Sequence, residues 1–77
     1  MTLEQFLREL ENVIEKPSGT LTGSEVLAEL DGWDSMAVVA FIVMADSVLG
    51  AALSVKNVNA SKTVTDLARL FPGKVTV

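Results

Sequence analysis

The chain has no cysteine and no histidine, and its six basic residues are outnumbered by ten acidic ones. Without cysteine there is neither a disulfide framework nor a thiolate metal site, and nothing points to an oxidising compartment. Without histidine, Ser-His-Asp chemistry, the usual general base and the commonest metal ligand are all excluded. A net charge of −4 argues against binding nucleic acid phosphates, which requires clustered Lys and Arg, and makes basic partner surfaces the natural counterpart. Long apolar runs are also missing. The longest, residues 36–45, is about half of the ~20 residues a membrane span needs, and a run of that length is more often a buried core helix. The first residues, Met1-Thr2-Leu3-Glu4-Gln5, lack a basic stretch ahead of an apolar one, so no signal peptide and no membrane span are expected, and the chain reads as a soluble cytoplasmic protein.

What is present is apolar and small. With 77 residues, 49% of them hydrophobic, the chain makes one domain, and at this size only about 60% of the unfolded surface can be buried. Leu3, Phe6, Leu7, Leu10, Val13 and Ile14 fall on one helical face. Thr2 with Gln5 fits a capping box, and Glu4 with Arg8 an i, i+4 ion pair. Pro17-Ser18-Gly19 stops the pattern, which predicts a helix over residues 3–15.

Residues 16–33 carry no long periodic element, although connections in compact domains commonly run about 4–6 residues. Thr22 and Glu25 are spaced to cap one short turn that tucks Val26, Leu27 and Leu30 onto the core. Residues 35–49 pull two ways. Ala37-Val38-Val39-Ala40-Phe41-Ile42-Val43 is β-branched enough for a buried strand, but the run is too long for one, Asp34 caps its start, and Gly50 stands where a helix ends. A helix over 35–49 follows, about 22 Å long at 1.5 Å per residue. Val38, Ile42, Ala45 and Leu49 share a core-directed face, while Met36, Ala40, Val43, Met44 and Ser47 lie elsewhere. Either neighbouring loops cover that second set or it is a docking surface, with the two methionines as adaptable contacts.

Ser54 caps a short helix over 55–60, and Thr63 with Asp66 opens a last one over 64–71, closed by Pro72-Gly73. Residues 74–77 are expected to fray. Such stripes cannot be buried separately, so an all-α fold is predicted, a small four-helix bundle with a long first loop and a short third helix.

Gly32-Trp33-Asp34-Ser35-Met36 is the junction on which function turns. Asp34 at the N-cap places Ser35 in the first helical turn, beside solvent, where the helix dipole and free N–H groups favour an attached phosphate. Trp33 reads as a loop anchor, with a partner contact as the alternative. Ser35 has no histidine to activate it, so it is no catalytic nucleophile. Glu25, Glu29, Asp31 and Asp34 lack the spacing of a calcium loop, and the glycines form no phosphate-binding signature.

Leu30-Asp31-Gly32-Trp33-Asp34-Ser35-Met36, with an apolar helix after it and a helix and long loop before it, resembles the acyl carrier protein family. The resemblance implies a non-catalytic, monomeric carrier whose Ser35 bears 4′-phosphopantetheine, delivered from coenzyme A by a phosphopantetheinyl transferase. It implies further partners in a loading ligase or acyltransferase and downstream synthases. Trp33, Met36, Ala40, Val43 and Met44 become candidate docking residues, and Val38, Ile42, Leu53, Val58 and Ala68 candidate walls of an acyl pocket. Fatty-acid carriers typically have several carboxylates along the helix after the serine, and here only Asp46 is present. That departure directs the expectation toward a specialised lipid or secondary-metabolite pathway, such as polyketide synthesis, over bulk fatty acid synthesis. An aminoacyl or peptidyl carrier and an unmodified helical interaction module are the alternatives.

Overall fold

Thr2 opens the first helix with a reciprocal capping box: its hydroxyl accepts from the Gln5 N–H at 3.1 Å, and the Gln5 side chain accepts from the Thr2 N–H at 2.9 Å. The computed structural model describes residues 1–76, and among them are four α-helices and no strand. α1 runs Leu3–Val13, α2 Ser35–Leu49, α3 Val55–Asn59 and α4 Val64–Ala68, with a single 3-10 turn at Leu27–Glu29. This is a small helical bundle. α1 packs on α2 and α2 on α3, and Phe6, Phe41 and Phe71 meet at the centre with ring centroids 5.9 to 6.0 Å apart. Leu10, Val58, Val64 and Leu67 complete the core around them.

α1 ends two residues earlier than the sequence predicts, and proline is not what stops it. Ile14 is the C-cap and Glu15 turns to φ 59°, the left-handed region. The N–H of Lys16 then donates to the Glu11 carbonyl at 2.9 Å and that of Glu15 to Asn12 at 3.3 Å, the paired bonds of a Schellman ending. Glycine normally takes this position, because a side chain there costs roughly 1–2 kcal/mol.

The long connection is pinned at three places. Glu11 is 1% exposed; its carboxylate accepts from the N–H of Leu21 at 2.7 Å and of Gly19 at 3.1 Å, and from the Arg8 guanidinium at 3.2 Å. Arg8 therefore pairs with Glu11 and not with Glu4. The buried carboxylate needs a counter-charge, whereas an exposed Glu4–Arg8 pair is worth only about 0.2–0.5 kcal/mol. Glu25 accepts from the N–H groups of Thr22 and Gly23, both at 2.8 Å. It closes a loop rather than capping a helix, since the turn at Leu27–Glu29 follows Val26 with no side-chain cap. Lastly, the N–H of Leu27 donates to Lys62, and those of Val64 and Thr65 donate to Glu25 and Gly23, at 2.9 to 3.0 Å, which fastens the loop to the start of α4.

α3 and α4 each begin in a capping box, Ser54 with Asn57 and Thr63 with Asp66. α4 stops at Ala68 where the sequence predicted 71. Its last turn tightens into i to i+3 bonds, Leu70 to Leu67 at 3.1 Å and Phe71 to Ala68 at 3.3 Å, as the chain approaches Pro72. The predicted fraying does not hold for residues 74–76. Thr76 donates to the Met1 carbonyl at 2.8 Å and accepts from the Leu3 N–H at 2.9 Å, and Val75 is buried, so pairing and burial tie the two ends together. Val77 lies outside the described residues.

Candidate functional site

The approach to α2 is set by Gly32. At φ +90° it passes so close to the end of α1 that an added Cβ would lie 3.1 Å from the Ile14 carbonyl oxygen. Next to it Asp31 accepts from Lys16 Nζ at 2.6 Å, and this hydrogen bond and its charge hold the Asp31 carboxyl below its ordinary 3.8. Trp33 is half-buried with its ring edge-on to Phe41 at 5.8 Å, an anchoring contact.

Asp34 is extended and caps α2. Its Oδ1 accepts from the Ala37 N–H at 2.9 Å and its carbonyl from Val38 at 3.0 Å. Ser35 is the first residue of the helix and is exposed. The N–H groups of Ser35 and Met36 have no acceptor among the described residues, so the positive end of a 15-residue helix is open beside the Ser35 hydroxyl. A phosphate ester on that oxygen would meet free donors and a favourable dipole.

Two clefts flank the helix start. One, of about 190 Å³, is lined by Ser35, Val38, Val39, Val55 and Asn59, between α2 and α3. The other, of about 330 Å³, lies between residues 13–15 and Met36, Ala37 and Ala40, with Gly32 and Asp34 also in its wall.

Of the docking candidates, Met36 is 80% exposed, Val43 62%, and Ala40 is exposed as well. Met44 is not on that surface. It is 9% exposed, because it follows Phe41 by three residues and Ala37 by seven and so sits on the core stripe. Val39 belongs in its place at 58% exposed, and Val48 near the end of α2 and Val55 at the start of α3 are also exposed. Spacing alone carried that signal, since Val39 lies three residues after Met36 and four before Val43.

Of the five candidate pocket walls, the two clefts beside Ser35 include only Val38. Val38 alone lines the small cleft; Val58 and Ala68 are solid core, and Ile42 and Leu53 pack partly buried against it. Facing by periodicity identified residues that are buried in, or packed against, the same core as the phenylalanine cluster. Among the described residues no three acidic side chains are grouped to hold a metal ion, and no helix is long and apolar enough to cross a membrane. Glu11 and Glu15 escaped sequence reading, one because burial of a carboxylate leaves no periodic trace and the other because a left-handed glutamate is not encoded by composition. Comparisons of the chain with protein-family models, with curated proteins and with solved structures found no match.

Proposed function

We propose that the chain is an acyl carrier protein, non-catalytic itself, that holds acyl intermediates as thioesters on a 4′-phosphopantetheine arm at Ser35. One observation carries the reading: an exposed hydroxyl at the first position of a long, Asp-capped helix whose N-terminal N–H groups are free. The residues suit the group. Ser35 Oγ supplies the ester oxygen, the N–H groups of Ser35 and Met36 suit a phosphodiester, and the apolar cleft of Val38, Val39 and Val55 begins at Ser35 itself.

Attachment is group transfer from coenzyme A. Ser35 Oγ bonds to the phosphorus nearest the pantetheine, its proton leaves to a base, and the bond from that phosphorus to the adenosine bisphosphate breaks. The chain has no histidine to serve as base, so the phosphopantetheinyl transferase supplies base and metal, and the carrier contributes presentation. The thiol of the arm then accepts cargo from a loading ligase or acyltransferase. Asp46 is the only carboxylate within α2, and the outward face is apolar, which favours dedicated partners of a specialised pathway over the basic patches of bulk fatty acid synthesis.

The test is intact-protein mass spectrometry after incubation with coenzyme A and a broad-specificity phosphopantetheinyl transferase. The expected result is a gain of one phosphopantetheinyl group, lost in Ser35→Ala with helix content unchanged. No gain on the folded wild-type chain, with a known carrier modified in parallel, would leave the unmodified interaction module as the surviving reading. A second reading, an aminoacyl or peptidyl carrier, rests on the same face, and the choice of loading enzyme separates the two.

A further inference from the structure

The chain holds three sulfur atoms, all in methionine, and the fold treats them differently. Met44 is 9% exposed on the core stripe of α2, and Met1 is half-buried against the same core. Met36 is 80% exposed, the most open large apolar side chain among the described residues. It follows Ser35 directly in the first turn of α2, and it begins the outward stripe that Val39 and Val43 continue.

Contact alone does not require sulfur at this position. Leucine has a side chain of like size with at least equal helix propensity, and no core packing at Met36 selects between the two. Methionine adds a thioether that a hydroperoxide converts to a sulfoxide, turning an apolar side chain into a polar one. The oxidant must reach the sulfur, so exposure places Met36 first and Met44 last. With no cysteine in the chain, no thiol competes for the oxidant before an arm is attached. A sulfoxide at Met44 would disturb the core, whereas one at Met36 alters only the surface beside Ser35.

We propose that Met36 is a reversible redox switch on the modification of Ser35, its sulfoxide slowing phosphopantetheinyl transfer while the fold stays intact. The switch rests on the carrier reading for the reaction it controls. In the oxidation, the Sδ lone pair bonds to one oxygen of a hydroperoxide and the O–O bond breaks. The proton of the transferred oxygen passes to the departing one, which leaves as water or an alcohol. A methionine sulfoxide reductase reverses the change: two thiols become a disulfide, and the oxygen leaves as water. The sulfoxide oxygen holds water that docking against an apolar partner surface must strip away without replacement, a cost the thioether does not carry.

The test treats the unmodified chain with dilute hydrogen peroxide, removes the excess with catalase, and then adds coenzyme A and the transferase. Peptide mass spectrometry is expected to find one added oxygen on Met36, with Met44 reduced until denaturant is present. Circular dichroism should show unchanged helix content and thermal midpoint. The kcat/KM of transfer falls roughly five- to fiftyfold, the range for one polar group buried without a partner, and recovers after methionine sulfoxide reductases and dithiothreitol. Met36→Leu, whatever its own rate, no longer responds to peroxide, and Met44→Leu still does. Equal rates for oxidised and reduced wild-type chains overturn the switch alone, as does a response that persists in Met36→Leu or that follows loss of helix. A reduced wild-type chain that takes no phosphopantetheine removes the carrier reading, and the switch with it.

Discussion

α1 and α2 pack on each other yet treat their outer faces in opposite ways. α1 buries Phe6, Leu7 and Leu10 and turns Glu4, Gln5 and Asn12 to solvent, so its apolar surface is consumed by folding. α2 buries Ala37, Val38, Phe41, Met44 and Ala45 and still leaves Met36, Val39 and Val43 more than half exposed. Valine is a poorer helix former than alanine because the preceding turn restricts its χ1. Exposed valines on a helix thus serve neither burial nor helix propensity. The difference indicates that the fold needs only one side of α2, and that the other side, which begins at Ser35, is free for another task.

Breaking the inner side has the largest effect. Phe41 is fully buried and touches Phe6, Phe71 and Trp33. Phe41→Ala is expected to cost about 3–5 kcal/mol, the range for a buried aromatic truncated to alanine. A core of this size rarely supplies more than about 3–5 kcal/mol net, so the variant loses its cooperative thermal transition by circular dichroism. Glu11→Gln comes next. It leaves the Arg8 charge without its buried partner and replaces a carboxylate that accepts from two loop N–H groups, at about 1–3 kcal/mol in denaturant titrations. Amide exchange should accelerate at residues 19–21 before it does in α2, since the loop is what that carboxylate holds.

The comparison of helices also marks how far the sequence could be read. α1 was legible because its stripe has one period and one polar complement. α2 was legible as a helix through Asp34 and Gly50, but its apolar residues occur all round, so which face turned inward depended on packing and Met44 went to the wrong side. Capping pairs such as Ser54 with Asn57 announce themselves by spacing. Tertiary fastenings do not: the bond from Val64 to Glu25 and the closure of Thr76 on Met1 join residues remote in sequence through backbone groups that every residue carries. Ser35 was legible as a helix start. The two clefts beside it were not, because each is made by elements that meet only in the folded chain.

Smaller effects sharpen the contrast between the helix start and the loop behind it. Asp34→Ala removes the cap of α2 and is expected to lower stability by about 0.5–2 kcal/mol and, on the proposed carrier reading, to slow modification of Ser35 as the first turn frays. Acid acts on the loop instead. Burial tends to raise the Glu25 carboxyl, but the N–H groups of Thr22 and Gly23 outweigh it and hold it below its ordinary 4.5. Asp66 is likewise held below 3.8 by the N–H groups of Thr63 and Lys62. A depressed carboxylate binds its proton more readily in the unfolded chain. Its stabilisation is therefore complete above about pH 5 and is lost as pH falls through 4 and below. Urea midpoints should stay level from pH 7 to 5 and decline beneath that, and Glu25→Gln should flatten part of the decline.

The finest test makes one chemical change on both sides of α2. Val38→Ala deletes methyl groups from a site 8% exposed, and at about 0.8 kcal/mol per buried carbon with incomplete collapse the net loss is about 1–2 kcal/mol. Val43→Ala deletes the same atoms from a site 62% exposed, where little burial is lost and helix propensity improves. A small gain of up to about 0.5 kcal/mol is expected there, measured as a higher urea midpoint. On the proposed carrier reading the same Val43→Ala chain should be a poorer substrate of a phosphopantetheinyl transferase, because the apolar contact it loses lies two turns from Ser35 on the proposed docking face. Gain in stability with loss of transfer separates an outer face kept for a partner from one that is merely tolerated. Equal losses at the two positions would mean that α2 is covered on both sides in solution.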